Sequence, residues 1–286
     1  MKIAIIGASG HVGSQFSKVL GTNELILWSH KDLEILSKQA VERRIASTDA
    51  DVIVNMAAFH NTDSCEDDPA KAFAVNAVGT HYVAKSCVKH NKKMVYASTD
   101  YVFGQDLKRK KPYVESNPVG PVNVYGCTKV AGEELVRATC ADHLIIRTSN
   151  LFGGEVPDKI PSFPEMIAER ARRKLSLKVI ADQIMSPTYT HDLVEKTLEL
   201  LRKNATGTFH IVNSGQCSWY DFAAKTLQLL KIDHPLQPMS GAGKLAGARR
   251  PLYSAITSER LAKFKIKPMR KWDEALKAFF QERRWI

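Results

Sequence analysis

The chain has 286 residues, 44% hydrophobic and 25% charged, enough to bury one large α/β core or two smaller ones. No apolar run reaches membrane-spanning length, and residues 3–6 are too short a run for a signal-peptide core, so a cytoplasmic protein with no membrane partner is expected. The net charge of +11 is spread out, and its densest clusters (Lys108 to Lys111, Arg170 to Lys174, Arg249-Arg250) lack interleaved aromatics, which disfavours a nucleic-acid partner.

The chain opens on Ile3-Ala-Ile-Ile6, an apolar run of the kind that makes a buried parallel strand. Gly7, Gly10 and Gly13 follow at spacings of three, and an apolar-periodic segment (Val12, Phe16, Val19, Leu20) begins at once. Strand, glycine turn and helix together are the context of a dinucleotide site. Gly7 permits the turn, Gly10 lets backbone approach a pyrophosphate, and Gly13 lets helix and strand pack closely. Gly7, Ser9, Gly10, His11, Val12 and Gly13 are therefore assigned to a cofactor, whose phosphates would meet the free N–H groups of the helix start.

The next strand, 25–28, ends in Ser29-His30-Lys31, and no acid appears until Asp32. NAD-specific sites place an acid near this strand end for the ribose 2′-hydroxyl. Ser29, His30 and Lys31 suit a 2′-phosphate instead. NADPH is expected, with NADH possible.

Further strands are expected at 52–56, 94–97 and 144–147, alternating with helices at 33–45, 69–91 and 125–140. That βαβ alternation predicts an α/β fold with a doubly wound parallel sheet. Ligands in such sheets bind beyond the carboxyl ends of the strands. Ala57, Ala58, Ser98, Thr99, Asp100 and Ser149 should therefore line one crevice. The second half is less regular. Residues 153–164 read as a Gly/Pro-rich link, 162–174, 192–203, 219–230, 258–264 and 272–283 as helices, and 177–180 and 209–212 as strands. The expected division is a dinucleotide-binding part, 1–152 plus about 187–214, and a smaller C-terminal α/β substrate lobe, about 153–186 plus 215–286.

Tyr125 and Lys129 lie four apart on the helix at 125–140. Four residues turn about 400°, so the two side chains share a face. A phenol titrates near pH 10, and an ammonium beside it would favour the phenolate and bring that value down. Such a pair can exchange a proton with a carbonyl/hydroxyl couple. Five cysteines form no C-x-x-C pair and nine histidines show no ligand spacing, so reduced thiols and no catalytic metal are expected.

Several motifs occur together. They are Gly7 to Gly13, Val54-Asn-Met-Ala-Ala58, Asn76 in Phe-Ala-Val-Asn-Ala, Ser98-Thr-Asp-Tyr-Val-Phe103, Asn123-Val-Tyr-Gly-Cys-Thr-Lys129, Ile146-Arg-Thr-Ser149, Asp182-Gln183, Ser218-Trp-Tyr-Asp-Phe222 and Ala248-Arg-Arg-Pro251. With them the chain resembles the extended short-chain dehydrogenases/reductases, and among these the dTDP-4-dehydrorhamnose reductase family, over nearly its whole length. The resemblance implies reduction of the 4-keto group of a nucleotide-linked 4-keto-6-deoxy sugar. It implies that Thr99 hydrogen-bonds the substrate carbonyl, that Tyr125 protonates it, and that Lys129 holds the nicotinamide ribose. Ala57, Ala58, Asn76 and Ser98 would lie against the cofactor. Asp100, Tyr101 and Asn150 would contact the sugar, and Arg249 the diphosphate, since arginine meets phosphate as a fork. The partner is then a nucleotide sugar, and a homodimer is compatible with it. Three positions depart from the family pattern: Asn150 for Trp, Met185 for Gly, and Phe59-His60 for Tyr-Thr. They leave open another nucleotide-sugar reductase or epimerase of the superfamily, or a cofactor-binding regulatory subunit.

Overall fold

The computed structural model describes residues 1–20, 24–154, 161–241 and 247–286, so part of the expected link at 153–164 lies outside the described residues. The first half runs β1 (Ile3–Ile6), α1 (His11–Leu20), β2 (Leu25–Trp28), α2 (Lys38–Ala46), β3 (Val52–Asn55), α3 (Thr62–Asp67), α4 (Pro69–Phe73), α5 (Thr80–Lys89), β4 (Lys93–Thr99), α6 (Val124–Thr139) and β5 (His143–Thr148). The second half runs β6 (Leu151–Phe152), α7 (Phe163–Arg172), β7 (Leu177–Ile180), β8 (Ile184–Met185), β9 (Thr188–Tyr189), α8 (Thr190–Arg202), β10 (Gly207–His210), β11 (Cys217–Ser218), α9 (Trp219–Leu230), β12 (Leu236–Met239) and α10 (Trp272–Glu282).

Six strands form one parallel sheet in the order β10-β5-β4-β3-β1-β2. Its strands are apolar on both faces because helices cover both. Phe16 of α1 and Leu193, Val194, Leu198 and Leu201 of α8 pack on one face. Val41 and Ile45 of α2, Val83, Ala84 and Cys87 of α5, and Val136 of α6 pack on the other. The order reverses beside β1, between β2 on one flank and β3 on the other, and ligands of open α/β sheets bind at such a switch point.

A separate core of Phe152, Met185, Tyr189, Phe222, Leu276, Phe279 and Phe280 holds α9 and α10 around the short strands, and Ile167, Leu177, Val179, Ala223 and Leu227 join α7 to β7. Leu261, Ile266 and Met269 come from the same C-terminal stretch but pack into the sheet core.

Element boundaries moved where side-chain hydrogen bonds outweighed apolar periodicity. The helix expected at 33–45 begins only at Lys38, because Ser37 caps it by accepting from Ala40 N at 3.3 Å. The helix expected at 69–91 contains a π turn, Ala74–Gly79, around the buried Asn76. The helix expected at 258–264 is reduced to a 3-10 turn, Leu261–Phe264. The helix α3 and the two-residue strands had no periodicity to announce them.

Candidate active site

The loop after β1 and the loop after β3 touch. Gly7 has φ +82°, and a Cβ there would lie 2.8 Å from Ala57 N. A Cβ on Gly13 would lie 2.3 Å from Ala8 O, so only glycine lets α1 come this close to the turn. Gly10 is different: a Cβ there would meet only Gly7 O, at 3.5 Å. No protein atom demands glycine at position 10, which fits a ligand approaching that backbone. Val12 is buried, Ser9 is exposed, and the half-buried His11 leaves a buried Nδ1 with no hydrogen-bond partner among the described residues. The turn is thus a cradle at a helix N-terminus, suited to a pyrophosphate.

Ala57 and Ala58 are half-buried beside this turn. Asn76, expected against the cofactor, is engaged by protein partners. It is fully buried; its Nδ2 donates to Phe59 O (3.0 Å) and Thr128 Oγ1 (2.9 Å), and its Oδ1 accepts from Phe59 N (2.8 Å). It clamps the loop that presents Ala57 and Ala58.

The end of β2 also differs from expectation. Ser29 donates from both its backbone N (2.8 Å) and its hydroxyl (2.6 Å) to Asp32, so its side chain is turned to that carboxylate instead of to a ligand. His30 is exposed 3.5 Å from Glu34, and Lys31 is exposed. A residue missed in the sequence stands here: the Arg44 guanidinium lies 5.6 Å over the Trp28 ring and 3.9 Å from the Asp32 carboxylate, and its buried Nε has no hydrogen-bond partner among the described residues. Nothing in the helical pattern of α2 marked it.

Thr99 ends β4, and Tyr125 lies in the first turn of α6, which Asn123 caps by accepting from Gly126 N at 2.8 Å. The Thr99 hydroxyl lies near Tyr125, and Tyr101 sits edge-on to Tyr125 with ring centroids 6.1 Å apart. Part of the Tyr125 ring stays accessible, while burial and the nearby Asp100 carboxylate push its hydroxyl above the usual phenol range. Lys129 does not bring that value down as expected. Its Nζ donates to Ala97 O at 2.6 Å and lies 4.1 Å over the Tyr96 ring. Burial pulls the Lys129 ammonium down to about 7, with Glu133 one turn away opposing the shift. The phenol therefore stays protonated, the form a general acid needs.

Two further expectations change. The Ser98 hydroxyl, expected against the cofactor, donates to Glu133 at 2.5 Å. The Asp100 side chain, expected at the sugar, is 2% exposed and accepts from Thr99 (3.1 Å), Ser149 (2.9 Å) and Ser254 (2.5 Å). Asn150 is half-buried with φ +44° and donates to Ser149 Oγ at 2.9 Å. Met185 is 2% exposed in the core around α9 and α10, next to Ile184, whose carbonyl accepts from Ser254 N at 2.9 Å.

The paired arginines divide by partner. Arg250 forks onto Asp63 at 2.7 and 2.8 Å, which leaves Asp63 well below the usual carboxylate range. Arg249 is exposed, and among the described residues only its backbone O is engaged, by Asn123 Nδ2 at 2.8 Å. Among the described residues one cluster, His191, Asp192 and Glu195, has metal-ligand proximity, but Asp192 is already held by Arg270 and Asn213.

The family model for the RmlD substrate binding domain matches residues 1–284. The chain belongs to that family. It is 36% identical to the dTDP-4-dehydrorhamnose reductase of Mycolicibacterium smegmatis, over 96% of this chain and 84% of the relative. It is 34% identical to the spore coat polysaccharide biosynthesis protein SpsK of Bacillus subtilis, over 99% of this chain and 98% of the relative. The crystal structure of dTDP-4-dehydrorhamnose reductase from Bacillus anthracis in complex with NADP superposes with a TM-score of 0.91 at 32% identity, covering 99% of each chain. Members of the RmlD family and this chain share the doubly wound sheet and its switch point.

Proposed function

We propose that this protein reduces the 4-keto group of a nucleotide-linked 4-keto-6-deoxy sugar with NADPH, converting dTDP-4-dehydro-L-rhamnose to dTDP-L-rhamnose. The observation that carries the reading is Thr99 at the carboxyl end of β4 facing α6, whose first turn carries Tyr125, with Lys129 one turn further on. Reductases of this name among the relatives, one of them in complex with NADP, support it.

NADPH, when bound, supplies the hydride. Gly7, Ser9, Gly10, His11, Val12 and Gly13 would hold its pyrophosphate, with Ala57 and Ala58 against it. His30, Lys31 and Arg44 would meet the 2′-phosphate. In the reaction Thr99 donates a hydrogen bond to the carbonyl oxygen, and Tyr125 gives its phenolic proton to the same oxygen as hydride reaches the carbon. Lys129 would hold the nicotinamide ribose. Tyr101 would face the sugar and Arg249 the diphosphate. The complete Thr99, Tyr125 and Lys129 set argues for turnover over a regulatory subunit that only binds cofactor. The five cysteines are unpaired, four of them buried, which supports a reducing compartment such as the cytoplasm.

The test is NADPH oxidation with dTDP-4-dehydrorhamnose, beside a panel of UDP- and GDP-linked 4-keto sugars. Turnover of the dTDP sugar with the highest kcat/KM is expected. Tight NADPH binding with no turnover of any sugar would overturn the reading.

A further inference from the structure

We infer that Asp100 is a positioning residue that sets which way the Thr99 hydroxyl points, and through it the acidity of the catalytic tyrosine's surroundings. The inference rests on the reaction proposed above. A threonine hydroxyl has one proton to donate. Thr99 Oγ1 gives it to Asp100 Oδ1 at 3.1 Å and accepts from Tyr101 N at 3.2 Å. While that proton is held by Asp100, it is not given to a substrate oxygen.

The carboxylate is built into the fold, not left at the surface. It is 2% exposed, and its other oxygen accepts from Ser149, just after β5, and from Ser254, in the segment that follows Arg249 and Arg250. Asn150 extends the chain by donating to Ser149. One buried group thus joins β4, the end of β5 and the substrate side of the molecule. The titratable groups facing it are Tyr125 on α6 and Tyr101 on its own turn; among the described residues no basic side chain bonds it. Burial raises its carboxyl to about 6, and the three hydroxyl donors hold it from going higher.

The consequence has a sign. Ionised Asp100 retains the Thr99 proton. Protonated Asp100 releases it, and Thr99 then donates to the reacting oxygen during reduction and to the Tyr125 oxygen once that phenol has given up its proton. Reduction should therefore slow as pH rises through about 6. Lys129 contributes its own limb near 7.

The experiment pairs kinetics with an infrared titration of the carboxyl band, on wild type, Asp100→Asn, Thr99→Val and the double variant. In Asp100→Asn the limb near 6 should vanish while that of Lys129 remains, with KM for dTDP-4-dehydrorhamnose within about threefold of wild type. In the Thr99→Val background, Asp100→Asn should cost nothing further, because Asp100 acts through Thr99. Without substrate, Thr99→Val should raise the carboxyl midpoint, since one donor to the ionised form is lost. A raised KM at unchanged kcat, multiplicative effects of the two variants, or an unmoved carboxyl midpoint would each overturn the inference. A wild-type protein that turns over no sugar would sink the proposed function alone, and the midpoint in Thr99→Val would still decide the role of Asp100.

Discussion

Removing the Glu133 carboxylate should cost more stability than any other single change on the catalytic helix. Glu133 is fully buried on α6, one turn beyond Lys129. It accepts from Ser98 of β4 (2.5 Å), from Arg147 of β5 at Nε (2.8 Å) and Nη2 (2.6 Å), and from Arg137 (2.7 Å). Burial pushes this carboxyl up, but the hydrogen bonds and charge of Arg147, with Ser98 and Arg137, outweigh that and leave it below the usual glutamate range. Its stabilising contribution is therefore complete above the unfolded value, near 4.5, and is lost as pH falls through the lower folded value. Glu133→Ala leaves the Arg147 guanidinium, 3% exposed, with no carboxylate. Breaking one side of a buried pair costs about 3–5 kcal/mol, against a total of about 5–15 kcal/mol for a typical protein. Urea unfolding at pH 7 should show that loss, and Glu133→Ala with Arg147→Met should recover part of it, because an apolar pair leaves no orphaned charge. A loss below about 1 kcal/mol for the single variant, the range of a surface pair, would refute the reasoning.

Tyr125→Phe should keep NADPH affinity within about twofold and lose about 100-fold or more in kcat, as for removal of a general acid; fluorescence titration and NADPH oxidation check the two halves. Lys129→Met should weaken NADPH binding and remove the rate inflection near pH 7 that its lowered value implies, read from kcat against pH. Gly13→Ala must displace Ala8, whose carbonyl oxygen would lie 2.3 Å from the new Cβ, so both Tm and NADPH affinity should fall, by calorimetry and titration. Arg249→Ala should raise KM for the dTDP sugar about tenfold or more with NADPH affinity unchanged, whereas Arg250→Ala should lower Tm by releasing Asp63.

The sheet was legible because its signal is local. Short apolar runs favour buried strands, and β2 and β7 fall on the residues their apolar pattern marked, although β2, at the sheet edge, leaves Leu27 exposed. The glycine turn was legible for the same reason, since a positive φ at Gly7 and a backbone contact at Gly13 leave glycine no substitute. Spacing on one helix also placed Tyr125 and Lys129 on the same element. What spacing could not give was direction. Ser98, Asp100 and Asn76 are polar residues at strand or turn ends, where ligands are expected, yet each is spent on protein partners far along the chain: Glu133, Ser254 and Thr128. A sequence shows that a polar group is there; only the fold shows which groups satisfy it. Glu133 was hidden by the converse problem, because a carboxylate on an amphipathic helix reads as solvent-facing until Arg147 is seen beneath it.

The same distinction separates the two departures from the family pattern that bear on the sugar. Met185 is packed with Phe152, Tyr189 and Phe222, so its side chain answers to the volume of the lobe core. Asn150 answers to two local demands at once. Its φ of +44° lies in the left-handed region, where asparagine is tolerated and a bulky aromatic is strained. Its amide also donates to Ser149, which donates to Asp100. A tryptophan at this position has no second donor to make that bond, since its one N–H stands at the far side of a large ring. The change at 150 thus reaches the Thr99 hydroxyl through three side-chain hydrogen bonds, while position 185 adjoins that network only through the backbone of Ile184, which accepts from Ser254 N at 2.9 Å. Any difference in sugar choice between this chain and relatives with tryptophan at 150 should be sought in how Asp100 holds Thr99, as well as in the wall the ring would have made.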